Sequence, residues 1–306
     1  MLEEPILYYP LRSAQDAGFG DIAVIVGFEG ELVESWTRDN FPGAEIIWQR
    51  EQRGTGHAAK LAQEWWQNFE NVMVLAGDAP LIKPETLSFF AERHAAGGNA
   101  CSFLSFDLED PTGYGRVLRE DGKVRVVEHK DATERQREVK EVNSGMYIFD
   151  TAALAGVIDK ISCANAQGEY YLPDALALIE SRGGRVEAVK ADHAEEFLGI
   201  NDQMQLAAAA RIMRDRIVSG FMINNGLQCM DPASLWIGPK VKIGHDVVIH
   251  PSVQLWGETV IEDEAFIGSF TVLRNSVVHA KANLKGSVRL NDSTIGPRAS
   301  AGPFAF

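Results

Sequence analysis

The sequence predicts an α/β unit on a mainly parallel sheet, a connecting helix, and then a short left-handed parallel β-helix of hexapeptide repeats. Three observations carry this. Short apolar runs alternate with amphipathic stretches over roughly the first two hundred residues, an alanine-rich run without breakers follows, and beyond residue 222 an aliphatic residue recurs every six positions.

Taken in order, the strand candidates are "DIAVIVG" (21–27), "AEIIW" (44–48), "NVMVLAGD" (71–78), "ACSFLSF" (100–106) and "RVEAVKA" (185–191). Helix-like segments lie between several of them, which is the mark of parallel strands joined by crossover helices. In "ETLSFFAERHAA" (85–96), Leu87, Phe90 and Ala91 share one face at a helical period. The Asp121-Gly122 pair in "GRVLREDGKVRVVEHKD" sits between alternating valine-rich runs and predicts a hairpin. The run "QMQLAAAARIMRDRIVSG" (203–220) reads as a connecting helix up to Gly220. The predicted division is 1–202 for the α/β domain, 203–221 for the helix and 222–306 for the repeats.

The repeats give the strongest local signal. Ile237, Ile243, Ile249, Leu255, Ile261, Ile267 and Leu273 are spaced by six, with glycine directly after at Gly238, Gly244 and Gly268. A six-residue period fits a triangular coil of three hexapeptides with the aliphatics stacked inside. Val241, Val247, Val253, Ala265, Thr271 and Val277, four residues after an aliphatic, are expected near the corners. After Leu273 the register is expected to slip around "HAKANLKGSVRL" and to return at "STIGPRASAGPFAF".

Composition narrows the function classes. The net charge of −14 argues against a broad nucleic-acid or anionic-membrane footprint, since such partners need a positive field. Cys101, Cys163 and Cys229 are odd in number and widely separated, so neither a disulfide framework nor a zinc cluster is expected and a reducing cytoplasm is. No apolar run reaches the roughly 18 residues of a membrane span, and "MLEEP" does not read as a signal peptide.

Two features point to chemistry. "EQRGTGHAAK" (51–60) joins a strand to a helix with two glycines, either to let backbone approach a ligand or to make a tight turn. Asp78 ends a strand at the carboxyl edge of the sheet, where ligands bind in open α/β sheets, although a turn aspartate reads the same way. Asn201 follows another short apolar run and offers a second hard oxygen suited to Mg²⁺, or else a helix cap.

Seven segments then occur in order: "QREQRGTGHA", "GDAPLI", "DPTGYGRV", "VEHKDAT", "EVNSGMYIF", "NAQGEYYLPD" and "LGIND". Their order and spacing, with the hexapeptide tail, resemble the bifunctional N-acetylglucosamine-1-phosphate uridylyltransferase/glucosamine-1-phosphate acetyltransferase family, over nearly the whole chain. The resemblance implies an α/β nucleotidyltransferase of Rossmann-like build that takes UTP and N-acetylglucosamine 1-phosphate with Mg²⁺, assembled as a cytoplasmic homotrimer. Gln49, Gly54 and Thr55 would contact the uracil, and Ala76 would lie with them on the nucleotide. Asp78 and Asn201 would bind Mg²⁺ and serve catalysis. Gly115, Glu128 and Asn143 would hold the amino sugar, and Tyr171 would lie beside its phosphate. His57 is expected to be a packed or capping residue.

Departures temper these expectations. The family's opening "LAAGxGTRM" loop and Pro-Lys pair are absent, as is the "RLRP" stretch that follows "AGPFAF" in relatives. The chain as given is therefore expected to transfer uridylyl poorly and to lack acetyltransferase activity, with His245, His250 and His279 merely solvated. Pro173 stands where the family tends to have threonine, and Ala76 where an aromatic is frequent. Another sugar 1-phosphate, or a non-catalytic binding or assembly module, stays open.

Overall fold

The computed structural model describes residues 1–120 and 122–305. The fold class agrees with the expectation. The chain divides into two compact units, Tyr9–Gly199 and Met1–Tyr8 with Ile200–Phe306.

The first unit carries β1 (Ala23–Val26), β2 (Glu45–Trp48), β3 (Asn71–Val74), β4 (Cys101–Asp107), β5 (Arg116–Glu120), β6 (Lys123–Val127), β7 (Glu141–Asp150) and β8 (Val186–Lys190). Its helices are α1 (Tyr8–Asp16, from its second residue on), α2 (Gly30–Asn40), α3 (Thr55–Leu61), α4 (Gln63–Trp66), α5 (Pro84–Gly97), α6 (Glu134–Arg137), α7 (Thr151–Val157) and α8 (Asp174–Ser181). β1 and β2 pair in parallel as a sheet of their own, and β4 pairs in parallel with β8. β7 runs against the parallel expectation: one edge is antiparallel to β4, and the other to β3 and, at Val142, to β5. The β5–β6 hairpin forms with Glu120 opposite Lys123 and Gly122 at φ 76°, whereas Asp121 lies outside the described residues.

Strand alternation sends side chains to both faces of this sheet. Cys101, Phe103, Tyr147 and Phe149 pack with Ala59 and Trp66 of α3 and α4 and with Leu154 and Leu176 of α7 and α8. Leu104, Phe106, Met146 and Ile148 pack on the opposite side with Leu87 and Phe90 of α5. His94 is buried against β4, with Nδ1 2.9 Å from Ser102 Oγ, and burial lowers its pKa.

In the second unit α9 (Gln203–Asn225) passes through Gly220 and ends only at Gly226, which takes φ 65°. The loss of a Cβ within a helix costs about 1 kcal/mol, too little to stop so long a helix. After α9 the chain winds through three parallel sheets that share one core. All seven six-spaced aliphatics are buried in it. The turns carry non-glycine residues in the left-handed region, among them Asp246, Ser252, Glu264, Phe270, Lys281 and Ser287.

The register slips earlier than expected, before "HAKANLKGSVRL" and not within it. Gln254 pairs with Val272, eighteen residues on, but Val260 pairs with Val277, seventeen on. One residue is lost between Leu273 and Val278, so Ser276 takes the buried corner place expected of Val277, which faces outward half-buried. "HAKANLKGSVRL" then keeps the period through Leu284 and Leu290. A second loss precedes Ile295, since Val277 pairs with Thr294, again seventeen on. Trp236 is covered by Arg214, whose guanidinium lies 5.0 Å from its ring centre, and Phe266 by His250 at 4.7 Å. Phe270 instead stands exposed.

Candidate functional site

The loop after β2 is tied to a segment more than a hundred residues away. The Gly56 amide donates to the Tyr170 carbonyl at 2.7 Å, and the Tyr170 amide to the Arg53 carbonyl at 2.8 Å. The Leu172 amide donates to the Thr55 hydroxyl at 3.0 Å. "RGTG" and "YYL" thus form one clamp, and it accounts for the glycines. A Cβ on Gly54 (φ 98°) would stand 2.6 Å from the Tyr170 carbonyl oxygen, and one on Gly56 3.0 Å from it. The close approach is made first by the protein's own backbone.

Gln49, one residue past β2, points its amide into this loop. Its Nε2 donates to the Gly54 carbonyl at 3.0 Å and lies 3.1 Å from His57 Nδ1. His57, expected only to pack or cap, is therefore bonded to the predicted uracil contact. It does not cap α3, whose N-cap is Gly54.

The predicted sugar contacts converge. The Asn143 amide donates to the Gly115 carbonyl at 2.9 Å. The Glu128 carboxylate sits where a Gly115 Cβ would point, 3.1 Å from it. Asn143 Nδ2 donates to the Tyr147 hydroxyl at 2.6 Å, and Asn143 Oδ1 accepts from the Gly145 amide at 3.2 Å. Burial raises the Glu128 pKa, and the charges of Asp131 and Asp174 raise it further. Tyr171 is pushed up to about 12, first by burial and then by the Asp131, Glu128, Glu169 and Asp174 charges. Its hydroxyl is buried without a hydrogen-bond partner among the described residues. Pro173 is buried and precedes α8.

Arg116 was not predicted, because nothing in the sequence marks an arginine as buried. It is 1% exposed. Its guanidinium donates to the carbonyls of Tyr114 and Arg137 and lies 3.3 Å from His129 Nδ1, which fixes the segments on either side of Gly115 and Glu128. Burial lowers its pKa.

Ala76 lies half-buried in the loop after β3, and Asp78 is exposed in the same loop. The Asp78 carboxylate stands 3.1 Å from the Cβ direction of Gly199. Tyr114 hydrogen-bonds the Gly199 backbone, and burial first and Asp78 last raise its pKa. Among the described residues Asp78 has no ion pair and no hydrogen bond. A hard carboxylate left unneutralised at the carboxyl edge of the sheet fits a divalent cation. Asn201 falls in the other compact unit. It does not cap α9: Asp202 does, accepting from the Gln205 amide at 2.8 Å, while the Asn201 amide donates to Gln205 Oε1 at 2.6 Å.

An open cleft of about 940 Å³ lies beside the clamp, lined by Arg53, His57, Lys60, Glu64, Asp159 and Tyr170 among others. Lys60 is paired to Asp159 at 2.7 Å and Arg53 to Glu51 at 2.7 Å. Its cations are neutralised, and neither Asp78 nor Gly115, Glu128, Asn143 and Tyr171 line it. Gly115, Glu128 and Asn143 meet outside this cleft. Among the described residues no helix is long and apolar enough to cross a membrane.

A family model described as Nucleotidyl transferase matches residues 1–192. The chain is 48% identical over 310 residues to a "Bifunctional protein GlmU" of Corynebacterium aurimucosum, covering 98% of this chain and 63% of that protein. It is 40% identical over 304 residues to one of Caldanaerobacter subterraneus subsp. tengcongensis, covering 99% and 65%. The chain thus spans just under two thirds of these relatives. A crystal structure from Bacillus anthracis, provisionally described as a glucose-1-phosphate thymidylyltransferase in complex with a sucrose, superposes with a TM-score of 0.54 at 18% identity. It covers 69% of this chain and 83% of that one and supports the fold alone.

Proposed function

Because the chain belongs to the nucleotidyl transferase family, a family of transferase enzymes, we propose that it moves the uridylyl group of UTP to N-acetylglucosamine 1-phosphate. The observation that carries this is the meeting of Gly115, Glu128 and Asn143, from three separate motifs, at one place in the α/β unit. Glu128 accepts from sugar hydroxyls there, and Tyr171 offers its unpaired hydroxyl to the sugar phosphate. Gln49 and the Gly54–Thr55 loop take the uracil, with Ala76 beside the nucleotide.

A phosphate oxygen of the sugar 1-phosphate attacks the α-phosphorus of UTP in line. One P–O bond forms, the bond to the β-phosphate bridge breaks, and pyrophosphate leaves. The nucleophile is already an anion at neutral pH, so no residue has to remove a proton. What these side chains supply is position, worth several powers of ten when both reactants are held in line. Mg²⁺ held by Asp78 would neutralise charge on the phosphates. A trimer through the β-helix and a cytoplasmic setting complete this reading.

Pyrophosphate release tests it. Release should require UTP and N-acetylglucosamine 1-phosphate together, and exceed that with glucose 1-phosphate. In a chain that carries the family's opening glycine-rich loop, Asp78→Asn should lower the rate about tenfold or more, with partial recovery at raised Mg²⁺. Equal release without the amino sugar phosphate would refute the proposal.

A further inference from the structure

We propose that His57 is a positioning residue that makes Gln49 select uracil over cytosine, by holding both hydrogens of the Gln49 amide and leaving only its oxygen for the base. The inference rests on reading Gln49 as the base contact.

The hydrogen-bond chemistry permits one assignment. The Gly54 carbonyl can only accept, so the Gln49 atom 3.0 Å from it is the NH₂ group. That same nitrogen lies 3.1 Å from His57 Nδ1. An amide NH₂ cannot accept, so Nδ1 must, and the imidazole carries its proton on Nε2. Both hydrogens are then committed, one to Gly54 and one to His57. Oε1 has no hydrogen-bond partner among the described residues and remains as an acceptor.

A lone acceptor distinguishes the two pyrimidines. Uracil carries a hydrogen on N3, flanked by carbonyl oxygens, whereas cytosine has a lone pair at N3 and an amino group at C4. Oε1 accepts from uracil N3–H but meets cytosine N3 lone pair to lone pair. Polar sites built for one partner discriminate strongly, because the wrong partner leaves desolvated groups unpaired. A Gln49 held only by Gly54 could shift so that its spare hydrogen faced cytosine N3. His57 occupies that hydrogen. It sits two residues from Thr55 on the first turn of α3, so the clamp to Tyr170 and Leu172 also places its ring. The His57 and Tyr170 rings are 6.4 Å apart, centre to centre.

The test is equilibrium binding of UTP and CTP to the full chain, by calorimetry, with His57→Phe, His57→Asn and Gln49→Ala beside the native protein. The native chain should bind UTP at least about tenfold tighter than CTP, the size of one lost hydrogen bond to a desolvated partner. His57→Phe keeps a flat ring but removes the acceptor, and should cut the UTP-to-CTP ratio about fivefold or more. His57→Asn restores an acceptor near the Nδ1 position and should bring the ratio back to within about twofold of native. If Phe and Asn lower the ratio alike, or neither lowers it while Gln49→Ala abolishes it, the role of His57 is overturned and the Gln49 reading stands. If the native chain binds no UTP, or Gln49→Ala leaves the ratio unchanged, the base-contact reading beneath the inference falls.

Discussion

The clamp of the α/β unit and the coils of the β-helix both depend on glycine, for opposite reasons. In the coils a Cβ on Gly268 would lie 2.5 Å from the Gly286 amide of the next turn, and one on Gly244 2.3 Å from Asp263 Oδ1. Those contacts repeat between neighbours, so each coil is fixed by the coil beside it. In the clamp a Cβ on Gly54 would strike the Tyr170 carbonyl, far away in sequence and met only once. The coils lose a residue after Leu273 and another before Ile295, and the stack continues. A one-dimensional stack spreads such changes over its neighbours. A clamp made from single long-range contacts has no such reserve, and it is there that the candidate site lies.

The largest effect should come from the stack's core. Leu255 is wholly buried between coils, and Leu255→Ala should cost about 2–5 kcal/mol of β-helix stability in urea unfolding. The α/β transition should stay in place. A matching shift in both would show that the two regions do not behave as separate units.

A smaller stability loss with a larger functional one is expected at the clamp. Gly54→Ala forces a Cβ against the Tyr170 carbonyl at a left-handed φ, at a cost of about 1–3 kcal/mol. UTP binding should weaken about tenfold or more at the same time. Unchanged binding would mean that the clamp is structural only.

The smallest effect is on the pH dependence of stability. Burial raises the Glu128 pKa, so between its unfolded and folded values the folded chain holds a proton that the unfolded chain has released. Stability is therefore full below the unfolded value and falls as pH rises through the carboxylate range. Glu128→Gln should flatten the decline in urea midpoint as pH rises above the ordinary carboxylate value. An unaltered slope would place the decline on other groups, such as Asp174, whose pKa burial also raises.

The two regions also differ in how far sequence discloses them. The coils were legible because each buried aliphatic repeats at a fixed interval, and a period can be seen without knowing any partner. A one-residue loss blurs that period, and so Val277 was put where Ser276 belongs. The strand direction of β7 was not legible, since "EVNSGMYIF" reads as a strand but not as one inserted antiparallel between β3 and β4. In the site, the residue types carried over from the motifs were visible one at a time. Their mutual bonds were not: Thr55 with Leu172, Glu128 against Gly115, and His57 on Gln49 exist only once the chain has folded. Arg116 gave no signal, because a buried guanidinium satisfied by backbone carbonyls looks in sequence like any surface arginine.

Amide hydrogen exchange with and without UTP compares both regions in one experiment. Without ligand, the Gly56, Tyr170 and Leu172 amides should already be protected, each being hydrogen-bonded across the clamp. On adding UTP, protection should rise together in residues 49–57 and 169–172 and stay constant from 237 to 290. Protection that rises in only one arm of the clamp, or in the coils, would contradict the account that a single long-range clamp holds the nucleotide site while the β-helix serves as scaffold.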